Sequence, residues 1–362
     1  MNKIDSKQNN ILEVNLKTLT PFWTGGYDGN SETLRDTSLI GSLRWWYRQL
    51  LDLSESKDTQ NEDELFGTTE NSRAFRLVST DAENIDLYFK SNKTVYQSNS
   101  HWLYSIFGAE KHNGSKEKKG IISYYDFGEL KAIFNCKSEI KIKLIALKNY
   151  ETTLANLAFL MDFVTNYGAL GAKTQYGFGY GKWINPDLQR IKEGYTQFIL
   201  DKNELLFNKR FISLSFSIQN SAMDKYNKEL MIIGRKENES IKAYDRKFVP
   251  TAYDIRYSFR KGEKEINGIS GAIKYKLKND ITKKDLSMLI GDKNKIKSRI
   301  NVSSVYYDDD QAKWFLKIWA FLPPTLDISK EELVRVIIDQ VNVMFDNQCE
   351  VNENAINVGG DV

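Results

Sequence analysis

Histidine and cysteine are almost missing from this sequence: 362 residues carry two of each, and only five prolines. Cys136 and Cys349 lie far apart with no metal-ligand spacing, so neither a disulfide framework nor a zinc cluster is expected. His101 sits in SNSHWLYSIFG and His112 in the polar run KHNGSKEKKG. So thin an inventory argues against an imidazole-rich or metal-dependent active site; no metal and no cofactor are expected. No run of 18 apolar residues occurs, and the start, MNKIDSKQNN, has no apolar h-region, so neither membrane insertion nor export is indicated. The expectation is a cytoplasmic protein without a membrane partner.

A hydrophobic content of 41% with 12% aromatics can bury a substantial core, and the length fits two domains. The net charge of +3 conceals an asymmetry. Arg235 to Arg299 holds 18 Lys or Arg against 9 Asp or Glu, whereas Asn301 to Val362 holds 4 against 11. A basic middle beside an acidic end suggests a localised footprint for a polyanion, although a lysine-rich solvated surface would look the same.

Alternation of apolar and polar residues predicts strands over Asn10–Leu19, Ser138–Lys148 and Arg210–Ile218, and the apolar Trp314–Phe321, before the Pro323-Pro324 break, closes the second half. Helical spacing predicts helices over Thr37–Leu51, capped by Asp36 or Thr37, over Thr153–Tyr167 ending at Gly168, and over Lys330–Phe345 with Ser329 as cap. Asp52 to Glu64 reads as an acidic linker, and Leu65–Val78 as a helix end, a turn at Gly67 and a strand. Asn185–Asn208 reads as a connector. Each half then repeats strand, helix, strands, helix, which favours an α+β protein of two domains with antiparallel sheets, 1–200 and 201–362. The segments 84–129 and 221–298 do not reduce to simple elements.

Two stretches carry possible chemistry. On a helical wheel of TSLIGSLRWWYRQLLD, Leu39, Leu43, Trp46, Tyr47, Leu50 and Leu51 complete an apolar arc of about 140°. Gly41, Arg44, Trp45, Arg48 and Asp52 fall on the opposite side. Trp45 between two arginines can stack a base while the guanidinium groups hold phosphate. It can equally pack on a second element, or on a protein partner, through the gap left by Gly41.

The second stretch, GALGAKTQYGFGYGKW, contains Gly168, Gly171, Gly177, Gly179 and Gly181 interleaved with Tyr176, Phe178 and Tyr180. It fails as a Walker A loop, because Ala172 stands directly before Lys173 where a glycine is required. What remains is a mobile backbone with N–H groups to offer and one lysine, suited to lie along a sugar-phosphate chain, or else a flexible hairpin.

WTGG (Trp23–Gly26), Arg35, TSLIGSLRWWYR (Thr37–Arg48), LFG (Leu65–Gly67) and the glycine-rich loop, in this order and spacing, resemble the RAMP-superfamily subunits of the type III-B CRISPR (Cmr) effector complex, the first subunit in particular. The resemblance covers about residues 10 to 185, with KSRINVSSVYY and WFLKIWAFLPP as further similar segments. It implies two ferredoxin-like (RRM-like) domains packed together, a crRNA and a target RNA as partners, and other RAMP subunits beside it. It further implies a place at the end holding the 3′ part of the guide. Target cleavage belongs to another subunit in that family, so no enzyme and no small-molecule substrate are expected here.

The RNA-binding set expected from residues and resemblance together is Trp23, Arg35, Arg44, Trp45, Arg48, Lys173, Gln175, Tyr176, Arg256, Arg260 and Arg299, around the glycine-rich loop. The residues themselves agree on catalysis: metal-independent RNA cleavage usually leans on histidine, and only His101 is a candidate. Asp308, Asp309 and Asp310 read as a solvated turn.

Overall fold

The computed structural model describes residues 10–20, 22, 35–53, 59–79, 110–111, 125–126, 139–171, 174, 177–199, 210–223, 248–249, 252–261, 264–277, 279–280, 282–291, 298–322, 326 and 328–353. Trp23, Lys173, Gln175, Tyr176, His101, His112 and Cys136 lie outside them.

The first unit begins with β1 (Ile11–Thr18), whose Leu12, Val14, Leu16 and Thr18 are buried while Glu13 and Asn15 face out. Next come α1 (Asp36–Leu53), α2 (Thr59–Phe66) and β2 (Phe75–Ser79). A two-residue pair, β3 (Glu110–Lys111) with β4 (Tyr125–Asp126), precedes β5 (Glu139–Ala146). The unit continues with α3 (Tyr150–Tyr167), β6 (Gly181–Ile184) and α4 (Leu188–Ile199). Its antiparallel sheet has the order β2-β5-β1-β6, with Leu16 opposite Ile140 on one side and Trp183 on the other. The main chain path β1-α1-β2-β5-α3-β6 with that order is the ferredoxin-like fold.

The second unit repeats it. Following β7 (Phe211–Ile218) are β8 (Phe248–Val249), α5 (Ala252–Tyr257), the hairpin β9 (Ser258–Lys261) with β10 (Lys264–Asn267), α6 (Ile269–Lys276) and α7 (Lys283–Ile290). The chain then forms β11 (Ile300–Val302), β12 (Val305–Asp308), β13 (Lys313–Phe321), α8 (Lys330–Met344) and β14 (Cys349–Glu353). Its sheet runs β14-β7-β13-β12-β8, and β11 pairs with the far end of β13. The expected cap of α8 is present: the Ser329 hydroxyl accepts from the Glu332 amide at 3.1 Å.

Strand β13 explains how the two units meet. Its side chains alternate between two cores: Trp314, Leu316, Ile318 and Ala320 join the interior of the second unit, while Phe315, Trp319 and Phe321 join the core of the first. Helix α3 lies at the centre of the first core, buried on nearly every side, with Phe163 5.5 Å ring to ring from Phe211 of β7. A helix apolar all round must be covered all round. That requirement corrects the reading of 185–208 as connector, because α4 covers the outer side of α3 with Ile191, Tyr195 and Phe198. It also approaches so closely at Gly194 that a Cβ there would lie 2.0 Å from the Ala155 carbonyl oxygen.

The acidic linker is likewise corrected in part: α2 begins at Thr59, and its Glu62 is buried. In the helix before it, Asp36 does more than open α1. Its carboxylate accepts from the amide of Ser79 at 3.0 Å and from its hydroxyl, tying the helix start to the end of β2.

Candidate nucleic-acid interface

The glycine-rich loop leaves α3 and returns as β6, and it is anchored at both ends. The Trp46 indole donates to the Ala169 carbonyl at 2.8 Å, and its ring lies against Gly168 with no room for a Cβ. Leu170 donates to the Gly179 carbonyl at 2.9 Å, and the Tyr180 amide donates to the Thr20 hydroxyl at 3.0 Å. The amides of Leu19 and Thr20 both donate to the Tyr180 carbonyl. Gly179 holds φ +80, and a Cβ on it would meet the Leu170 carbonyl oxygen at 1.9 Å, so no other residue fits. Gly171 has φ +85, and Gly181 packs on Leu16.

The tip of this anchored region reaches the second unit. Between β11 and β12 the strand is interrupted at Ser303 and Ser304, both fully buried. Ser303 exchanges bonds with Lys317 of β13: its amide donates to the Lys317 carbonyl and its hydroxyl accepts from the Lys317 amide, each at 2.8 Å. Gly177, at φ +84, fills the gap beside Ser304, where a Cβ would lie 2.2 Å from the Ser304 nitrogen. The segment KSRINVSSVYY is thus the receptor for the glycine-rich loop.

This geometry corrects the expectation of a mobile backbone at the described part of the loop. Amides of Leu170, Gly177 and Tyr180 are bonded within the chain, and Phe178 and Tyr180 are core residues. Burial pushes the Tyr180 phenol far up, against the opposing hydrogen bond from Trp319 and the charge of Arg256. These rings are structural and present no face to a base.

The remaining expected site residues divide. Arg44 donates inward to Glu62, to the Gly67 carbonyl at 3.0 Å and to Asp63 at 3.2 Å. Arg48 contacts both Glu62 oxygens at 2.9 Å. Burial pushes the Glu62 carboxyl up, yet the hydrogen bonds and charges of Arg48 and Arg44 outweigh it and hold its pKa below the usual value. Both arginines therefore clamp α1 onto α2. Trp45 is 45% exposed, edge-on to Trp46, with Trp319 6.5 Å and Phe321 6.2 Å from its centroid.

Arg35 precedes α1 and is half-buried; its carbonyl accepts from the Ser38 and Leu39 amides. Arg256 does not belong to a basic surface: it is buried, with its guanidinium 5.3 Å from the centre of the Tyr257 ring. Arg260 is placed by its backbone on β9, opposite Glu265 of β10. Arg299 is half-buried just before β11. The structure thus groups Arg44, Trp45 and Arg48 on α1, and sets Arg256 and Arg299 apart in the second unit.

Several polar residues at the seam were not singled out from sequence. Lys182 of β6 pairs with Asp310 at 2.9 Å and Lys17 of β1 with the same carboxylate at 3.6 Å. Asp308 is buried and accepts from the Asp310 amide, whereas Asp309 and Asp310 are exposed on the turn, so the solvated-turn reading holds for those two and not for Asp308. Arg210 donates to the Leu322 carbonyl at 3.1 Å and to the Asp52 carbonyl of α1 at 2.8 Å. Lys317 donates its ammonium to the Asn166 carbonyl, at the C-terminal end of α3, at 2.9 Å. Burial pushes the Lys317 ammonium down to about 8 in spite of Asp308. A signal for it did exist: a lysine in the middle of WFLKIWAF, two residues from Trp319 on the same strand face.

Comparison with known proteins adds to this geometry. Residues 15–182 match the RAMP superfamily model. The CRISPR system Cmr subunit Cmr1-2 of Pyrococcus furiosus is 26% identical over 181 residues, covering 45% of this chain and 90% of that protein. The apo crystal structure of Cmr1 from Pyrococcus furiosus superposes with a TM-score of 0.45 at 13% identity, over 95% of this chain and 98% of that one. A chain of the type III-B Cmr-beta complex bound to cognate target RNA gives 0.47 at 14%, over 92% and 99%. Among the described residues no helix is long and apolar enough to cross a membrane. The first ferredoxin-like unit, matched almost end to end, is thus similar to the RAMP superfamily, and a type III-B (Cmr) subunit is among the proteins this chain resembles.

Proposed function

We propose that this chain is a non-catalytic RNA-binding subunit of a cytoplasmic type III-B RNA-guided complex. It caps the end that holds the 3′ part of the crRNA and helps capture target RNA, beside other RAMP subunits. One observation carries the reading: the glycine-rich loop is held rigidly at its base, between α3, β6 and Ser303–Ser304, at the seam of two ferredoxin-like units. Lys173, Gln175 and Tyr176, which this reading assigns to RNA, stand in the sequence between Gly171 and Gly177. The basic stretch from Arg235 to Arg299 supplies charge from the second unit. Arg260 and Arg299 are its cationic contributors among the residues singled out, and Trp23 and Arg35 of the first half of the sequence are assigned to RNA with them.

The test is filter binding of single-stranded RNA to purified protein at two salt concentrations. Phosphate-dominated contacts predict an affinity that falls steeply with salt and depends little on sequence. Lys173→Ala combined with Arg299→Ala should weaken binding at least several-fold with an unchanged melting temperature. Absent or salt-independent binding overturns the reading, and so does RNA cleavage by the wild-type protein that His101→Ala abolishes.

A second role has its own support. The arginines of α1 are spent on Glu62 and Asp63, which leaves Trp45 as an exposed aromatic without phosphate-binding neighbours on its helix face.

A further inference from the structure

We infer that the outer face of α1 around Gly41 and Trp45 is a docking site for a polypeptide, an apolar side chain of an adjoining protein subunit, and not a stacking platform for RNA. The inference rests on the subunit reading above and assigns Trp45 a different partner within it.

The face is read from exposure. Thr37, Gly41, Trp45, Arg48 and Asp52 are all exposed and recur every three or four residues, which places them in one stripe along the helix. Gly41 is the anomaly in it. A glycine inside a helix is unfavourable relative to alanine, and it is usually repaid by a close approach within the same fold. Here, among the described residues, a Cβ at Gly41 would meet nothing within 4 Å. Other glycines of the chain, such as Gly168, Gly179 and Gly194, have a neighbouring group pressed against them. Among the described residues nothing fills this notch, one turn before the exposed tryptophan.

Two observations select the occupant. The first is continuity with an interface already present. The ring of Trp45 lies at the open end of the aromatic seam between the two units, edge-on to Trp46 and close to Trp319 and Phe321. A partner seated there would extend that apolar seam. The second is charge. The cations that border the stripe are matched by carboxylates of the same chain: Arg44 by Glu62 and Asp63, Arg48 by Glu62, and Arg210 by Asp52. Such a surface offers little net attraction to a phosphodiester strand, whose affinity comes largely from cations. It suits a neutral, apolar projection: a branched aliphatic or aromatic side chain entering beside Gly41 with Trp45 as one wall.

The experiment uses the full chain and the complex reassembled on a guide RNA from purified subunits encoded with it. Gly41→Gln fills the notch without touching the core. The expected result is an unchanged or higher melting temperature and unchanged RNA affinity for the isolated chain, with at least a tenfold loss of incorporation into the complex. A photocrosslinking residue in place of Trp45 should label a protein subunit. Labelling of RNA instead overturns the inference, as does normal incorporation of Gly41→Gln. A lowered melting temperature of isolated Gly41→Gln also overturns it, because the notch would then be filled by the chain itself. The RNA reading fails separately: wild-type protein that binds no RNA but crosslinks a subunit at position 45 leaves this inference standing.

Discussion

Trp319 of the second unit donates its indole N–H to the hydroxyl of Tyr180, the residue that ends the glycine-rich loop of the first, at 2.9 Å and out of contact with water. One bond thereby joins the β13 face that carries the interdomain aromatics to the loop proposed to present RNA contacts.

Tyr180→Phe keeps the ring and removes the acceptor, leaving a buried indole N–H without it. The expected cost is about 1 to 3 kcal/mol, read as a lower urea midpoint at unchanged slope. The double variant Tyr180→Phe/Trp319→Phe should cost less in total than the two single changes added together, because their partner groups vanish together. Strict additivity would show that the bond carries no coupling between the units.

The glycines should separate by environment. Gly177→Ala and Gly179→Ala each combine a positive φ with a backbone atom about 2 Å from the new Cβ, so both should destabilise by more than about 2 kcal/mol. Gly41→Ala meets open space on a helix and should stabilise the isolated chain by up to about 1 kcal/mol. Thermal melts of the three proteins decide it, and equal effects would contradict the different surroundings described here.

Glu62 is the buried carboxylate that both α1 arginines require. Glu62→Gln should cost about 1 to 2 kcal/mol, below the range for a fully buried pair because Arg48 is half exposed to solvent. Its pKa is lowered in the folded state, so its contribution is complete above the unfolded value, near 4.3, and is lost as pH falls through the folded one. The gap between wild type and Glu62→Gln in denaturant melts should therefore close below about pH 4 and stay constant above about pH 5. A gap unaffected by acid would remove the ion pair as its cause.

Periodicity made the frame of the fold legible. β1, β5 and β7 read as strands from their alternation, β13 is a nearly unbroken apolar run because both of its faces are buried, and α8 announced its start with Ser329. The resemblance of WTGG, SLRWWYR and the glycine-rich loop pointed to RAMP proteins and, through them, to the paired ferredoxin-like units. What the sequence concealed was tertiary. Nothing local distinguishes Arg44, paired inward with Glu62, from an arginine waiting for phosphate. The glycines of the loop suggested mobility, whereas their packing on Leu170 and Ser304 makes them the rigid part. α4 was hidden because its apolar residues are few and its reason for being helical is the exposed side of α3.

Asp162, on the last turns of α3, provides a pH signature opposite to that of Glu62. Burial pushes its carboxyl up to about 6, with the Asn166 amide donating to it at 2.9 Å and pulling the other way. The same Asn166 accepts from the Lys317 ammonium through its carbonyl, and burial, followed by the Asp162 charge, raises the Tyr167 phenol. A carboxyl whose folded pKa lies above its unfolded value, near 3.9, binds protons more tightly in the native state. Stability then falls as pH rises from about 4 to about 6, and the penalty is complete at neutral pH. Asp162→Asn keeps an acceptor for Asn166 and removes the charge, so at pH 7 it should be more stable than wild type by about 1 to 2 kcal/mol. Urea melts at half-unit intervals from pH 4 to pH 8 test this: the advantage of Asp162→Asn should be near zero at the acid end, grow through pH 5 and 6, and level off by pH 7. An advantage that shrank as pH rose would mean that Lys317 and the end of α3 favour the charged carboxylate, and would reverse the electrostatic account of this end of the seam.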